Sequence, residues 1–240
     1  IAGGVATLSS ATPTSISGSG QTYTLGIGLS GTPSGAETLT ITPADNGIYD
    51  GSGNESSTTQ SNNTVSLNDQ LAPTISGVTI AANNATIAVS ISEAVYNATG
   101  GSGALQTSDF ALSIAGGTAT LSSATPTSIS ASSNVYTLGF TISGTPNGSE
   151  VLTVVPVDDG IYDAVGNESS TTQSNNTINL NDKASPTISS VTATTANGSY
   201  KAGGVIAVQV VFTEAVTVTG TPQLTLETGG SDAVVNYASG

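Results

Sequence analysis

A long internal repeat is the feature that most restricts how this chain can fold. Residues 1–72 align with residues 114–185 without a gap, and 50 of the 72 aligned pairs are identical. The period of 113 residues has the size of a small domain and is much longer than the period of a solenoid coil. The sequence therefore predicts tandem domains of one kind.

Two related linkers, LNDQLAP and LNDKASP, mark the expected domain boundaries, because Pro73 and Pro186 each precede a new apolar alternation. The third domain has diverged, and its VQVVFTEAV near Val208 corresponds to TIAVSISEAV at Thr86. The chain has no Met, so we expect it to be part of a longer protein. We predict the C-terminal part of one repeat, a whole repeat and the N-terminal part of a third, at residues 1–72, 73–185 and 186–240.

Alternating apolar and polar residues indicate β-strands, and Gly, Asn, Ser and Pro clusters separate them. In the second repeat the alternation covers residues 74–80, 86–92, 109–114, 118–123, 135–142, 150–156 and 177–181. Seven short strands in one repeat are typical of an immunoglobulin-like sandwich. We predict an all-β fold with tandem immunoglobulin-like β-sandwich domains in a linear array. A parallel β-helix is the alternative, and the absence of a short subperiod disfavours it.

The composition excludes several classes of function. Sixteen acidic residues face two basic ones, Lys183 and Lys201, and the formal net charge is -14. Such a surface repels nucleic acids and anionic membranes and attracts cations. The chain has no Cys and no His, which excludes zinc sites, disulfides and catalysis by a thiol or an imidazole. No apolar run is long enough for membrane insertion.

The neighbouring acids Asp158 and Asp159 could suggest a glycosidase pair. Adjacent residues leaving a strand point to different sides, and no aromatic sugar platform accompanies them. We therefore predict that the chain is not an enzyme.

A repeated loop carries most of the candidate metal ligands. GIYDAVGNESSTTQSNNT at residues 160–177 has a near twin, GIYDGSGNESSTTQSNNT, at residues 47–64. In a sandwich the chain runs alternately between two poles, so the loop should emerge at the pole that holds the N-terminal linker. We expect the following residues to lie near one another there: Asp69, Glu93, Asp158, Asp159, Asp163, Asn167 and Glu168.

Carboxylate, amide and backbone oxygens gathered on loops are the ligands that Ca²⁺ requires. Crowded carboxylates without a Lys or Arg also repel one another unless a cation neutralises them. We therefore predict Ca²⁺ at this pole, with Asp182 and Glu214 as the equivalents at the next junction. The corresponding residues of the first repeat are Asp45, Asp50, Asn54 and Glu55. The alternative interpretation is a simple β-turn, in which the Asp of Asp-x-x-Gly-Asn caps backbone amides.

Three short motifs carry a resemblance to a known family. They are Pro-x-Ile-x-x-Val from Pro73 and Pro186, a strand that ends in (I/F)-(S/T)-E-A-V at Val95 and Val216, and the late D-x-x-G-N loop. Together they resemble the bacterial Ig-like, cadherin-like repeats of giant secreted adhesins. The resemblance implies a secreted or cell-surface bacterial protein that is tandem and non-enzymatic, with calcium at its junctions.

The leading hypothesis for function is a structural segment of an extracellular fibre or adhesin stalk. The alternatives are a carbohydrate- or surface-binding module, with a glycan or cell-surface target that could lie outside this chain, and a spacer in a secreted enzyme. The expected partners are neighbouring repeats or chains joined head to tail. Residues 186–240 supply opening strands and residues 1–72 supply closing ones, so neighbouring chains could share a sandwich by strand addition. The other interpretation is a segment of one continuous fibre.

Overall fold

The computed structural model describes residues 1–227 and 229–237, and it is built almost entirely of β-strands. The one helical element among these residues is a 3₁₀ turn at Thr107–Asp109. Within the same ranges, no helix has the length and hydropathy that crossing a bilayer requires. The predicted all-β class is confirmed. The strands are β1 (Thr7–Leu8), β2 (Ser15–Ser19), β3 (Thr22–Gly26), β4 (Leu29–Ser30), β5 (Thr38–Thr40), β6 (Thr64–Ser66), β7 (Ile75–Ile80), β8 (Thr86–Ile91), β9 (Phe110–Ala115), β10 (Thr120–Leu121), β11 (Ser128–Ser132), β12 (Val135–Gly139), β13 (Ile142–Ser143), β14 (Val151–Pro156), β15 (Thr177–Asn179), β16 (Ile188–Ala193), β17 (Val208–Phe212), β18 (Gln223–Leu226) and β19 (Ala233–Asn236).

The chain divides into two compact units, Ile1–Asp182 and Lys183–Gly240. The first unit contains residues 1–72 and most of the second repeat, and the second contains residues 183–185 and the whole of the diverged third repeat. The domain boundaries placed after residues 72 and 185 stay predictions.

The second repeat contains two antiparallel sheets. One has four strands in the order β11-β12-β8-β7, and the other has three in the order β15-β14-β9. Strands β10 and β13 form a short separate pair. In the larger sheet Tyr136 lies opposite Val89, and in the smaller one Leu152 lies opposite Ile114.

Side chains from both sheets form one hydrophobic core. Every second residue of β8 and β14 is buried, as the alternation in TIAVSI and VLTVVP predicts. Ile87 and Val89 from the larger sheet join Leu152 and Val154 from the smaller one in the same cluster. This core fixes which ends of the strands lie together and therefore which loops meet at each pole.

The structure differs from the predicted strands around β10 to β13. The run at 118–123 shortens to β10, and the run at 135–142 ends as β12 at Gly139. The amide of Phe140 still donates to the carbonyl of Ala85, next to β8, whereas the carbonyl of Thr141 accepts from the amide of Ser122. The chain therefore changes partner between Phe140 and Thr141. Strand β11, with the sequence SISAS, was not predicted, because its largely exposed small side chains give little alternation.

Residues 1–72 repeat only part of this architecture. The pairs β1-β4, β2-β3 and β5-β6 correspond to β10-β13, β11-β12 and β14-β15 in the second repeat. In that repeat β12 also pairs with β8, and β14 also pairs with β9. Ala2, at the position of Ala115, exchanges two backbone hydrogen bonds with Thr38 of β5, but no second strand pairs with β3 or β5 among the described residues. Tyr23 is consequently 57% exposed, whereas its counterpart Tyr136 is 8% exposed.

The unit at residues 183–240 opens with a hairpin that matches β7-β8. Val191 lies opposite Val210 in β16-β17, as Val78 lies opposite Val89 in β7-β8. Both hairpins have a register shift near the start of their first strand. Strands β18 and β19 form a second pair. Most residues of β16 and β17 are exposed, so this hairpin has an open apolar face.

An asparagine pair fixes the end of the second repeat. Asn84, in the turn between β7 and β8, has a positive φ of 56° and donates from Nδ2 to the carbonyl of Asn181 at 2.7 Å. The amide of Asn181 donates back to Asn84 Oδ1 at 2.9 Å, and its side chain donates to the carbonyl of Ala81 at 3.0 Å. The last residues of this repeat are therefore hydrogen-bonded, through Asn181, to the turn between β7 and β8.

Candidate metal centre

The repeated loop folds into a small hairpin after β14. The amide of Ser169 donates to the carbonyl of Ile161 at 2.8 Å, and Tyr162 exchanges two backbone hydrogen bonds with Tyr96, each 2.8 Å long. Ile161 is part of the core cluster. The loop is thus held by the core on one side and by the segment after β8 on the other.

Asp163 caps the turn of this hairpin with its own carboxylate. Oδ1 accepts the amides of Val165, Gly166 and Asn167 at 2.9, 2.6 and 2.8 Å. Oδ2 accepts from the side-chain amide of Asn167 at 2.7 Å. Gly166 has φ of 100°, a conformation that a side chain at this position would strain. The Asp-x-x-Gly-Asn motif is therefore a self-capped turn, and Oδ2, with one hydrogen bond, keeps lone-pair capacity.

The same carboxylate lies beside two others. Asp69 of the linker, Glu93 after β8 and Asp163 each offer an oxygen, and these oxygens lie within 4.8 Å of one another. Asp163 is buried, and Asp69 and Glu93 are half-buried. Hard oxygen ligands at this spacing fit a divalent cation such as Ca²⁺.

The three carboxylates repel one another electrostatically. Burial raises the pKa of Glu93, and the negative charges of Asp69 and Asp163 raise it further. Both basic residues of the chain, Lys183 and Lys201, come after residue 182. No basic side chain of residues 1–182 is therefore available to neutralise the group.

The other predicted ligands of this loop form a second group around Tyr162. The amide of Asp159 donates to Glu168 Oε1 at 2.6 Å, and the Tyr162 hydroxyl donates to Asp159 Oδ1 at 3.0 Å. That hydrogen bond is the main cause of a raised Tyr162 pKa, and the charges of Glu168 and Asp158 add to it. The structure thus brings Asp69, Glu93 and Asp163 together, with Asn167 bonded to Asp163, and leaves Asp158, Asp159 and Glu168 outside the triad.

The first repeat reproduces this local chemistry. Asp50 Oδ1 accepts the amides of Ser52 and Asn54 at 2.8 Å each, and the Asn54 side chain donates to Oδ2 at 2.8 Å. The hydrogen bonds from Asn54 are the main reason why the pKa of Asp50 is lowered. Glu55 accepts from the amide of Asn46, whose side chain donates to Asp45 Oδ2 at 3.0 Å. Asp45 and Asp50 belong to no group of three carboxylates among the described residues.

The predicted ligands of the next junction occupy equivalent positions in their own repeats. Asp182 ends the first unit, in the position that Asp69 has in the linker LNDQLAP. Glu214 follows β17 in the second unit as Glu93 follows β8. A shared site for Asp182 and Glu214 stays a prediction.

The linker around Asp69 is hydrogen-bonded to both repeats. Toward the first repeat, the amide of Gln70 donates to the carbonyl of Pro33 at 2.9 Å. Toward the second, Ser169 Oγ donates to the carbonyl of Pro73 at 2.8 Å, and the amide of Ile75 donates to Gln173 Oε1 at 2.8 Å. The bond at Ile75 belongs to β7, at the start of the second repeat, and within the linker Asp69 Oδ1 accepts the amide of Leu71 at 2.9 Å. The linker is thus bonded to the first repeat through Gln70 and to the second through Pro73.

The structure buries two glutamates, Glu37 and Glu150, whose burial was not predicted from the sequence. Glu150 has no exposed surface, and its carboxylate accepts the amides of Thr118, Ala119 and Asn147 at 2.7, 3.0 and 3.0 Å. Glu37 accepts the equivalent amides in the first repeat. The sequence does contain a signal for the burial of Glu150. Glu150 lies two residues before Leu152 and four before Val154, so the alternation of the strand puts it on the same buried face.

These hydrogen bonds to the charged form predict sensitivity to acid. The amide of Ala6 is the main cause that lowers the pKa of Glu37 from 4.5 to about 2, and the pKa of Glu150 is also lowered, although burial opposes it. A lowered folded-state pKa contributes stability above the unfolded value, and this stability is lost as pH falls through the folded value. We expect the stability advantage of the wild type over Glu37→Gln, measured by urea unfolding, to shrink between pH 5 and pH 2. An advantage that is constant across that range would contradict the assignment.

Comparison with protein-family models, with curated protein sequences and with solved structures finds no match for this chain.

Proposed function

We propose that this chain is a structural segment of an extracellular fibre or adhesin stalk, in which tandem immunoglobulin-like sandwiches are stiffened by calcium at their junctions. The observation that carries the proposal is the triad of Asp69, Glu93 and Asp163, because it joins a linker residue to two residues of the following repeat.

The strand order supports the immunoglobulin-like assignment. The order β7-β8-β12-β11 in one sheet and β9-β14-β15 in the other corresponds to the ABED and CFG sheets of a seven-stranded immunoglobulin-like domain. The short pair β10-β13 is an addition: β10 lies between the third and fourth of these strands along the chain, and β13 lies between the fifth and sixth. The tandem arrangement is supported by the shared register of β2-β3 and β11-β12, which pair Ser15 with Gly26 and Ser128 with Gly139.

The linker contacts support a mechanical role. A linker that is hydrogen-bonded to the repeat on each side bends less than a free Gly/Ser chain. A cation bound by Asp69 from the linker and by Glu93 and Asp163 from the next repeat would restrict it further. Calcium would then act as a clamp on the joint between repeats.

The location outside the cell and the bacterial source rest on the resemblance to adhesin repeats. The acidic surface, with a net charge of -14, and the lack of Cys and His suit a soluble fibre that needs no redox or imidazole chemistry. The partners in this proposal are neighbouring repeats, head to tail.

Calcium titration with a matched pair of variants tests the proposal. For wild type, Ca²⁺ at about 100 times its Kd adds about 2.7 kcal/mol of stability, and we expect the melting temperature to rise by roughly 5–10 °C over that in EDTA. In Glu93→Gln we expect this rise to disappear. The control Glu168→Gln, outside the triad, should retain it.

The raised pKa of Glu93 predicts that, without calcium, Glu93→Gln stabilises the protein rather than weakening it. A raised folded-state pKa means that stability is present below the unfolded value and is lost as pH rises through the folded value. In EDTA at neutral pH, Glu93→Gln should therefore melt above wild type. Equal melting of wild type in calcium and in EDTA would refute the calcium clamp.

A further inference from the structure

The second repeat has a cleft, away from the acidic triad, that the proposed function does not use. The cleft, about 570 Å³ in volume, opens between strand β11 and the segment at residues 95–105. Its apolar lining includes Val95, Leu105 and Ile129, and two tyrosines, Tyr96 and Tyr136, line it as well. Sites for small ligands are typically concave and mostly apolar, with volumes of roughly 300–1,000 Å³. The cleft therefore has the size and lining of a small-ligand site.

The wall of the cleft that lies opposite β11 is fixed by the fold. Tyr96 exchanges two backbone hydrogen bonds with Tyr162, each 2.8 Å long, and the amide of Asn97 donates to the carbonyl of Gly103 at 3.4 Å. Leu105, at the end of this wall, is buried in the core. The cleft is therefore formed before any ligand arrives, which lowers the entropic cost of binding.

The hydroxyl of Tyr136 is the group that points to a ligand. Tyr136 is only 8% exposed, and its ring packs against Phe110 with 6.1 Å between the centroids. Its hydroxyl makes no hydrogen bond to any described residue, and neither does the hydroxyl of Tyr96. Every fully buried side-chain oxygen of the described residues has a partner, so solvent reaches the Tyr136 hydroxyl, and the cleft is the opening that Tyr136 lines. This hydroxyl is free to hydrogen-bond a molecule in the cleft.

The residues that line the cleft carry no charge. All of them belong to residues 94–108 and 110–149, which contain no Asp, Glu, Lys or Arg. Burial raises the pKa of the Tyr136 hydroxyl, and the neighbouring Tyr96 raises it further, so at neutral pH the hydroxyl is protonated and can both donate and accept. A charged ligand would lose its hydration in the cleft without gaining an opposite charge. The chemistry of the cleft therefore selects an uncharged ligand that carries hydroxyl groups.

Strand β11 adds hydrogen-bonding groups along one side of the cleft. Among the described residues it pairs only with β12, so it is the edge strand of the larger sheet. The N–H and C=O groups on the outer side of an edge strand are not used by the sheet. A sugar ring matches this arrangement, because its C–H face can pack on the apolar and aromatic side chains while its hydroxyls pair with the tyrosines and the strand edge.

We propose that this cleft binds a sugar unit of a neutral glycan, which is held by the hydroxyls of Tyr96 and Tyr136 and by the outer edge of β11. The second repeat would then attach to a glycan surface in addition to serving as a segment of the fibre.

A peptide strand added to the edge of β11 is the competing occupant. An apolar side chain of such a peptide, placed in the cleft, would exclude water from the Tyr136 hydroxyl without giving it a partner, and an unsatisfied buried hydroxyl is unfavourable. A sugar hydroxyl supplies that partner. The free hydroxyl therefore favours the glycan over the peptide.

Ligand binding followed by NMR in EDTA tests the proposal, and EDTA keeps calcium at the triad out of the measurement. The neutral probes are lactose, maltotriose and mannotriose, and trigalacturonic acid is the anionic probe of matched size. We expect at least one neutral probe to bind and the anionic probe to bind more weakly or not at all. In isotope-labelled protein, the amide signals that shift should be those of Gly103, Ala104, Ser130 and Ala131, on the two walls of the cleft.

Two conservative variants locate the site. Tyr136→Phe removes the hydroxyl and keeps the ring beside Phe110, and Tyr96→Phe does the same on the other wall. We expect each variant to weaken binding of the neutral probe about fivefold, which is typical of one lost hydrogen bond. Without ligand, Tyr136→Phe should melt as wild type does, because the hydroxyl has no partner in the protein. The matched control is Tyr23→Phe, at the same position of the first repeat, and it should bind the probe as wild type does.

Failure of all three neutral probes to bind would overturn the proposal, as would unchanged affinity in both Tyr136→Phe and Tyr96→Phe. Equal affinity for the anionic probe would contradict the argument from charge and would also overturn it. A lower melting temperature of Tyr136→Phe without ligand would mean that the hydroxyl has a protein partner in solution, which removes the reason for a ligand. Shifts along β11 with a Val- and Thr-rich peptide, and none with the sugars, would replace the glycan by strand addition.

Discussion

Replacing Glu150 by Ala is expected to lower the free energy of unfolding of the first unit by about 3 kcal/mol. The carboxylate is fully buried and accepts backbone amides from Thr118, Ala119 and Asn147. Without it these amides have no acceptor at that position, and a buried unsatisfied donor costs about 1–3 kcal/mol. Urea unfolding followed by circular dichroism measures the loss. Glu150→Gln should fall between the wild type and Glu150→Ala, since its amide oxygen retains part of the acceptor capacity.

Asp158→Ala is the matched control for this experiment. Asp158 lies on the surface, two residues after the strand that Glu150 precedes, so its removal should change the unfolding free energy by less than about 0.5 kcal/mol. If Glu150→Ala were as mild as Asp158→Ala, the carboxylate would contribute nothing to holding β14 against the segment before β10.

Replacing the same isoleucine of the repeated loop by Ala is expected to lower the stability of the two repeats by very different amounts. Ile161 has no exposed surface, whereas Ile48, at the same position of the first repeat, is 55% exposed. Ile161→Ala should cost about 2–5 kcal/mol, because it leaves a cavity between the two sheets. Ile48→Ala should cost less than about 1 kcal/mol, because its side chain is already exposed. Thermal unfolding of both variants provides the comparison.

Similar losses in the two variants would mean that Ile48 is packed in solution as Ile161 is. The pair of variants therefore measures how far each repeat has assembled a core of its own, independently of any metal.

Period-2 alternation was enough to predict the central strands of the second repeat. Strands β7, β8, β9 and β14 lie within one residue of their predicted limits. Strands β8 and β14 bury every second side chain, and apolar side chains of β7 and β9 pack into the same core. The alternation could not predict β11, whose pairing depends on the backbone of β12. It also could not predict the break after Gly139, where the chain changes its partner from Ala85, at Phe140, to Ser122, at Thr141. These features depend on tertiary pairing that a local pattern does not contain.

Sequence reasoning placed the candidate site through topology. Counting strand directions put Glu93 and the loop of Asp163 at the pole of the linker, and the structure places these two residues with Asp69. It could not separate Asp163 from Asp159, four residues earlier on the same loop. That separation depends on the hairpin turn, which directs Asp159 toward Glu168 and Tyr162. Side-chain direction in a loop follows from turn geometry, and hydrophobic periodicity carries no information about it.

The asparagine pair of Asn84 and Asn181 has a consequence for the response to pulling. The chain enters the second repeat through Pro73, which is bonded to Ser169, and leaves it through Asn181, which is bonded to the turn at the far end of β7. Tension between these two points runs along the strands rather than across them. Hydrogen bonds between strands would then be loaded in shear and would have to break together instead of one after another. A tether built in this way stretches little until it yields abruptly, and under an optical trap the second repeat should lengthen in a single high-force step.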